Sequence, residues 1–442
     1  MEIQRIMTLK PVLAACCMAC LAFTALSPAR AENAVQSAPN REPVQTVNGR
    51  NDPSLDVAAV QKAVDQGGTV FLKGRFDFGA KGNVTIKKDV KIIGQSDGHG
   101  HPKTLVEGGE ATFNTERPET LTRPGPNVTI SSIHFDGASW MPIRLPYLNG
   151  ATITSNKITN VHPLPHAVKT WKPYSMQAGV FFGTFMTRTL DRQEPYIENA
   201  VTGVIDVIGN EFDLTVAKPT ETMGQAIFAL RTTGIIANFE RNTIRNASRN
   251  AFEILDNFRG ANGQGRILIQ DNIAETPTEG VPYPTPATPN GIACGYFLDA
   301  KSAVDPARTI PHLILHNHIR TKGVKSVGIF VLMDGASVRH NEISINGTDS
   351  FAVVITGSHN DVGDNRIEGS GVAGFSVGPF PPMTGSSNTI ENNTFEHLKV
   401  AEADVRFRKG ASNNIVRGSA GTVSDLGVGN QPGELQPAIQ GQ

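Results

Sequence analysis

Short apolar runs alternate with polar residues along most of this chain, and one pattern of this kind recurs. It consists of an asparagine, then any residue, then isoleucine or phenylalanine. Three copies, at Asn317, Asn341 and Asn365, follow one another at steps of 24 residues. Such self-similarity at a period of 20 to 50 residues marks a solenoid. Eight of its copies begin at Asn156, Asn210, Asn242, Asn317, Asn341, Asn365, Asn393 and Asn413.

Each repeat contains three strand-like pieces. One is the Asn-x-Ile strand, a second is an apolar run such as 328–332, and a third is a shorter segment such as 337–339. Three short strands per turn predict an all-β right-handed parallel β-helix over residues 52–421. Asparagine tolerates the left-handed backbone of a sharp bend, and stacked amides about 4.8 Å apart can bond as a ladder. We therefore expect Asn317, Asn341 and Asn365 at one corner.

A short N-terminal helix is predicted ahead of the solenoid. Asp52 can cap its first turn and Pro53 suits the first helical position. The valines at 57, 60 and 64 repeat at helical spacing, and Gly67 ends the pattern. A repeat protein must cover the open end of its first coil, so this helix is expected to be that cap.

The period breaks in two intervals. The 54 residues from Asn156 to Asn210 allow two coils, or one coil with a large loop near 160–178. A Pro-rich stretch at 276–289 predicts an inserted loop after Asn272. Asn272 also departs from the pattern, because isoleucine follows it directly.

The first residues predict export. Arg5 and Lys10 precede an uncharged, mainly apolar stretch at 11–26, and Ala29-Arg30-Ala31 suits cleavage, so 1–31 is interpreted as a signal peptide. We expect a secreted or periplasmic protein without a membrane span. A lipoprotein signal ending at Cys16 is the less favoured alternative, because almost no apolar run precedes that cysteine.

Composition limits the remaining options. A formal net charge of −1 offers no basic face for nucleic acid. Cleavage would leave Cys294 as the single cysteine, which predicts a core residue rather than a disulfide. The polar residues 32–51 and 422–442 are interpreted as a flexible lead-in and a disordered tail.

With its capping helix and asparagine ladder, the chain resembles the pectin-lyase-like superfamily of right-handed β-helix proteins over residues 52–420. The resemblance implies an exported polysaccharide lyase, glycoside hydrolase or uronate epimerase, although phage tail spikes and non-catalytic surface proteins share the fold. The Asp-Pro-His-Asp motif of mannuronan epimerases is absent. Of the polygalacturonase motifs only Gly98-His99-Gly100 occurs, and it is interpreted as a turn.

Aligning the apolar runs by repeat places four charged residues in one column, which is the predicted catalytic set. Carboxylates on stacked coils suit glycoside hydrolysis, and together they could also bind Ca²⁺, the one cofactor considered. The alternative is that these acids are ordinary turn residues at strand ends. The set is Arg231, Asp256, Asp299 and, one residue later, Asp334.

A loop rich in aromatic and basic side chains is the predicted substrate-binding segment, because aromatic rings can stack on sugars. Arg406, Arg408 and Lys409 form a basic cluster that is interpreted as a solvated face at the end of the solenoid. The substrate-binding candidates in the loop are His162, His166, Trp171 and Tyr174.

Together these features predict an exported carbohydrate-active protein that cleaves a polysaccharide by hydrolysis or β-elimination. The groove is expected along one sheet. A non-catalytic glycan-binding or surface-structural β-helix is the alternative. A metal-handling accessory protein gains no support, since no Met, His and Cys cluster is present.

Overall fold

The computed structural model describes residues 42–116, 118, 120–161, 175–183, 197–215, 222–280, 289–297, 299–419 and 421–433. The predicted signal peptide at 1–31 and the last nine residues of the predicted tail lie outside these ranges.

Three parallel sheets run along the solenoid, and most coils contribute one strand to each sheet. The pairings between neighbouring strands are parallel throughout. The strands of sheet 1 are Val44–Asn48, Gly68–Lys73, Val90–Ile93, Asn127–Ser131, Leu148–Thr154, Val201–Ile208, Ile236–Glu240, Arg266–Gln270, His312–Leu315, Ser337–Arg339, Asp361–Gly363, Thr389–Glu391, Ile415–Arg417 and Gln431–Pro432.

Sheets 2 and 3 share two long strands that continue around the corner between them, Arg366–Val377 and Thr394–Phe407. The other strands of sheet 2 are Arg75–Asp77, Thr104–Glu107, Ile133–Asp136, Lys157–Thr159, Glu211–Asp213, Thr243–Arg245, Ile273–Glu275, His318–Thr321 and Glu342–Asn346. The other strands of sheet 3 are Val84–Ile86, Phe113–Thr115, Ile143–Leu145, Ser175–Gly183, Thr222–Leu230, Asn250–Leu255, Asn290–Gly295, Val327–Leu332, Phe351–Ile355 and Val423–Asp425. The predicted right-handed parallel β-helix is confirmed.

An asparagine ladder lies at the corner between sheets 1 and 2, as predicted. The Nδ2 of Asn341 donates to Oδ1 of Asn365 at 3.0 Å and to the carbonyl of Ile314 at 2.9 Å. The backbone N–H of Asn341 donates to the same Oδ1 at 3.0 Å. The ladder contains Asn156, Asn210, Asn242, Asn272, Asn317, Asn341, Asn365 and Asn393.

The ladder settles the two irregular intervals. Asn156 donates directly to Asn210 at 3.1 Å, and Asn272 donates directly to Asn317 at 2.9 Å. Each interval is therefore a single coil. Asn272 belongs to the ladder although its pattern differs, because Ile273 is exposed and the next residue, Ala274, takes the core position.

Asn413, the last predicted copy, is outside this ladder. Its neighbour Asn414 is part of a second ladder, at the corner between sheets 3 and 1, where its Nδ2 donates to Oδ1 of Asn430 at 2.8 Å. The core position of that strand is held by Val416 and not by the exposed Ile415. The second ladder consists of Asn360, Asn388, Asn414 and Asn430.

The N-terminal helix, Pro53–Val64, covers the first coil as predicted. The carboxylate of Asp52 accepts from the Ser54 N–H at 2.9 Å, which caps the helix. The Gln61 amide bonds both backbone groups of Thr85, donating at 2.9 Å and accepting at 2.7 Å. It thereby satisfies the free edge of sheet 3, which would otherwise invite pairing with another chain.

Both ends of the solenoid extend further than predicted. Val44–Asn48, inside the predicted lead-in, pairs with Gly68–Lys73 in sheet 1. Val423–Asp425 and Gln431–Pro432, inside the predicted tail, continue sheets 3 and 1. Each of these segments forms a strand because the neighbouring coil offers it backbone hydrogen bonds, which a polar composition alone does not predict.

Cys294 is fully buried in the core, as expected, and burial raises the pKa of its thiol to about 12. The thiol is therefore inert at neutral pH.

Within the described ranges, no helix is both long enough and apolar enough to cross a membrane.

Candidate functional site

The outer face of sheet 3 carries a row of side chains that changes in character from coil to coil. In the strand Asn250–Leu255 the neighbours of Glu253, Phe252 and Ile254, are fully buried in the core, so Glu253 belongs to the outer face. Read from coil to coil, the row is Arg144, Phe181, Phe228, Glu253, Ala293, Phe330, Val354, Ser376 and Arg406.

The C-terminal part of this row is an open groove with a volume of about 560 Å³. It crosses four coils from Phe330 to Arg406, about 14 Å at the usual strand separation. Apolar rings share its walls with three basic side chains and with the carboxylates of Asp349 and Glu402, so basic groups are in excess and the groove suits a ligand with apolar faces and negative charge. Its lining includes Lys325, Phe330, Phe351, Val354, Phe380, Arg406 and Arg408.

Two arginines lie side by side at the far end of the groove. Arg406 is ion-paired through its Nε with the Glu402 carboxylate at 2.8 Å, and Arg408 donates to the Gly378 carbonyl at 2.8 Å. Burial, and then the charge of Arg406, lowers the pKa of Arg408. An anion placed between the two guanidinium groups would offset that repulsion, because guanidinium binds carboxylates through paired hydrogen bonds.

The middle of the row is enclosed and polar. Glu253 is only 4% exposed, and its Oε2 accepts from Gln225 Nε2 at 3.0 Å and from Asn250 Nδ2 at 2.7 Å. Oδ1 of Asn250 in turn accepts from Asn290 Nδ2 at 2.8 Å. A carboxylate is therefore held in a buried strand by neutral amides.

The predicted catalytic column is only partly in register. Leu230, Leu255 and Gly295 face one another on successive coils. Arg231 and Asp256 are therefore neighbours, as predicted, and Asp334 follows one residue late. Asp299 lies three residues beyond the column, because the residue facing Asp256 is the one directly after Gly295.

The carboxylates of this column bond the turns around them. Asp256 is fully buried and accepts from the backbone N–H groups of Phe297 at 3.1 Å and Asp299 at 2.8 Å. Asp334 accepts from the Ser358 N–H at 2.6 Å, and burial raises the pKa of this carboxyl group. These bonds join neighbouring coils, and a catalytic role stays a prediction.

Asp299 begins a short 3₁₀ helix, Ala300–Val304. Its carboxylate accepts from Ser302 Oγ at 3.0 Å and lies 3.5 Å from an Arg308 nitrogen. Like the other two acids, Asp299 bonds residues of its own surroundings, here Ser302 and Arg308 of the same loop.

The predicted loop site cannot be placed, because His162, His166, Trp171 and Tyr174 lie outside the described residues. Gly98-His99-Gly100 is a turn, as interpreted, in which Asp97 accepts from the His99 N–H at 2.8 Å.

In the described part of the chain, no three His, Cys, Asp or Glu side chains lie close enough together to hold a metal ion. Calcium dependence stays a prediction.

Sequence reasoning missed Glu253, although the residue lies in one of the aligned runs. The signal was a charged residue inside an otherwise apolar strand, three positions before the more conspicuous Asp256. Arg406 and Arg408 were identified but were interpreted as a solvated face, whereas they line the groove.

Comparison with protein-family models gave no match, and comparison with curated protein sequences gave none either. Solved structures do match. An alginate lyase, AlyF-OU02, in complex with G6 is 12% identical, with 92% of this chain and 90% of that chain covered and a TM-score of 0.44. DFA-IIIase from Arthrobacter chlorophenolicus A6 is 11% identical, with 90% and 99% covered and a TM-score of 0.40.

A third match is the A-module of the mannuronan C-5 epimerase AlgE6 from Azotobacter vinelandii. It is 12% identical, with 88% of this chain and 93% of that chain covered and a TM-score of 0.30. Likenesses this distant assign no activity. The fold rests on the strand pairing of the chain itself.

Proposed function

We propose that the protein binds and cleaves an anionic polysaccharide along the outer face of sheet 3. The observation that carries the proposal is the groove across four coils, with aromatic rings on its walls and two arginines at one end. Export through the predicted signal at 1–31 is part of the same proposal. Intact-mass measurement of protein from the producing cell tests that part and should find a chain beginning near Glu32.

The groove suits an acidic sugar chain for two reasons. The rings of Phe330, Phe351 and Phe380 offer apolar surface to the C–H faces of sugars. Arg408 is half-buried, and its Nε has no hydrogen-bond acceptor among the described residues. A carboxylate or sulfate on the polymer would supply that acceptor and relieve the repulsion from Arg406.

Cleavage by hydrolysis or by β-elimination is compatible with these groups. A depolymerisation screen of the purified protein over acidic and neutral polysaccharides tests the proposal. New reducing ends without ultraviolet absorbance indicate hydrolysis, and unsaturated, absorbing products indicate elimination. A chelator arm separates a Ca²⁺-dependent lyase from a metal-independent enzyme. Cleavage of no polymer would contradict the proposal.

The double variant Arg406→Gln/Arg408→Gln tests the groove itself. It should weaken binding of the anionic polymer by about a hundredfold or more, since each of the two charge-assisted hydrogen bonds contributes roughly 1.5–3 kcal/mol. The matched control, Arg320→Gln/Arg366→Gln, removes the same charge from the outer face of sheet 2 and should leave affinity nearly unchanged. Equal losses in both variants would place binding outside the groove.

A specific observation favours the second candidate, glycan binding without cleavage. Asp256 and Asp334, the predicted catalytic carboxylates, already bond backbone N–H groups of the next coil. Retention of an acidic polymer that is never shortened would support this alternative.

A further inference from the structure

Glu253 lies on the same row as the groove, further towards the N-terminus. Ala293, the smallest side chain in the row, separates it from Phe330 at the groove wall. Two coil heights, about 9.6 Å, therefore join this carboxylate to the open groove. A polymer lying along the row would pass from the arginine pair towards Glu253.

The surroundings of Glu253 are costly for a purely structural carboxylate. Every residue of its strand, Asn250–Leu255, is buried. Its hydrogen bonds from described residues come from neutral amides, and a glutamine could accept the same two bonds through its oxygen without burying a charge. A carboxylate at this position therefore points to a chemical role.

A chain of amides connects Glu253 to the groove. The N–H of Val327, which lines the groove, donates to Asn290 Oδ1 at 3.1 Å. Nδ2 of Asn290 donates to Asn250 Oδ1 at 2.8 Å, and Nδ2 of Asn250 donates to Glu253 at 2.7 Å. All three bonds point their donors towards the carboxylate, so the chain of amides fixes the position of Glu253.

An acceptor lies beside it that has no donor among the described residues. Gln225 is fully buried and its Nε2 donates to Glu253, but its Oε1 receives no hydrogen bond from the described part of the chain. A buried acceptor without a donor is costly, and each such group in a folded protein requires an explanation. A sugar hydroxyl would supply the donor.

We infer that Glu253 is the general acid–base catalyst of a glycoside hydrolysis, an inference that rests on the proposed function. The Glu253 carboxyl group protonates the glycosidic oxygen as the bond to the anomeric carbon breaks, and the bonding electrons stay on that oxygen. Water then adds to the cationic sugar and returns a proton to Glu253. One water is consumed for each bond broken. The Oε1 of Gln225 accepts a hydrogen bond from a hydroxyl of the sugar at this subsite.

The test compares Glu253→Gln with wild type on a polymer that the wild type cleaves. The variant should lose a hundredfold or more in kcat, because general acid–base catalysis contributes factors of this order, while KM, polymer binding and thermal unfolding change little. The matched control Glu342→Gln, on the exposed face of sheet 2, should keep wild-type turnover.

Glu253→Ala keeps the inference testable even if the glutamine variant folds poorly. Added formate should restore part of its turnover and shift the pH profile, which a lost structural contact would not allow. Full turnover in folded Glu253→Gln, no formate rescue, or unsaturated products from wild type would each overturn the role of Glu253 in hydrolysis and leave the proposed function intact. Absence of any cleavage by wild type would overturn both.

Discussion

The corner between sheets 1 and 2 and the outer row of sheet 3 follow opposite rules. At the corner, eight coils carry asparagine, and each amide except that of Asn393, the last, bonds the next amide and a carbonyl of the coil before it. In the outer row the residue type changes from Arg144 through Glu253 to Arg406. Both positions recur once per coil, yet only the corner repeats its chemistry.

The difference separates what every coil needs from what one site needs. Every coil leaves the same backbone groups to be bonded at this corner, and an asparagine amide can donate to a carbonyl and accept from an N–H, so one residue type is suitable throughout. The left-handed backbone expected of the asparagine belongs instead to the residue before it, as at His316, His340 and Asp364. A binding or catalytic site needs particular side chains on particular coils, so a row that carries one need not be uniform. Repetition therefore marks structure in this molecule, and the candidate site is marked by the groove and by the buried carboxylate of Glu253 on the outer row of sheet 3.

The largest effect is expected at an interior residue that breaks the repetition. His312 follows Ala237 and Ile267 in a core column of sheet 1, is fully buried, and bonds the Ile310 carbonyl at 2.9 Å. Burial lowers the pKa of its imidazole from 6.5 to about 4. Between these values the unfolded chain binds a proton that the folded chain does not, so stability falls as pH falls from 6.5 towards 4.

His312→Leu should remove this acid sensitivity. The difference in unfolding free energy between wild type and variant should change by about 3 kcal/mol from pH 7 to pH 4. Urea unfolding at several pH values measures it, and the exposed His99→Leu is the control that should show no such change. Parallel pH curves for wild type and His312→Leu would refute the assignment.

Next in size is the effect of breaking the ladder. Asn341→Leu should lower the free energy of unfolding by on the order of 1–3 kcal/mol, because the Asn317 N–H and the Ile314 carbonyl lose their partner. The exposed Asn346→Leu on the same coil should change it by no more than about 0.5 kcal/mol. Similar midpoints for both variants in urea would mean that the ladder is not needed for stability.

The smallest effect is expected at Asp256, which bonds backbone groups of the next coil as the ladder residues do and which also belongs to the predicted catalytic set. Asp256→Asn keeps an oxygen for the N–H groups of Phe297 and Asp299 but loses the charge, which should cost about 1–2 kcal/mol of stability and leave turnover nearly unchanged. Paired unfolding and activity measurements decide the matter. A hundredfold loss of turnover at an unchanged unfolding midpoint would instead support the predicted catalytic column.

Much of the fold could be predicted from sequence because the corner repeats. The 24-residue steps at Asn317, Asn341 and Asn365 correctly predict the ladder. The predicted pattern is wrong at Asn413, because it does not show which hydrophobic residue faces the core. The residue that bonds its neighbours there is Asn414, in the second ladder. The second ladder is not among the predictions, although Asn388-Thr389-Ile390 carries the same pattern.

The candidate site was harder to predict for a physical reason. Register in sheet 3 depends on loop lengths between coils, so Asp299 appeared aligned with Asp256 when it lies three residues further on. Turn acids stand out in a sequence, whereas Glu253 is hidden within an apolar run. The proposal for Glu253 depends on its hydrogen bonds with Gln225 and Asn250, which form only in the folded chain.

The central claim is that the outer face of sheet 3 holds the polysaccharide, and a crystal structure of the Glu253→Gln protein with an oligosaccharide of the cleaved polymer tests it most directly. Sugar units should lie along the row, with an acidic group on Arg406 and Arg408 and a glycosidic oxygen within hydrogen-bond distance of the introduced amide. An oligosaccharide bound along the outer face of sheet 1 or sheet 2, with the groove empty, would contradict the account.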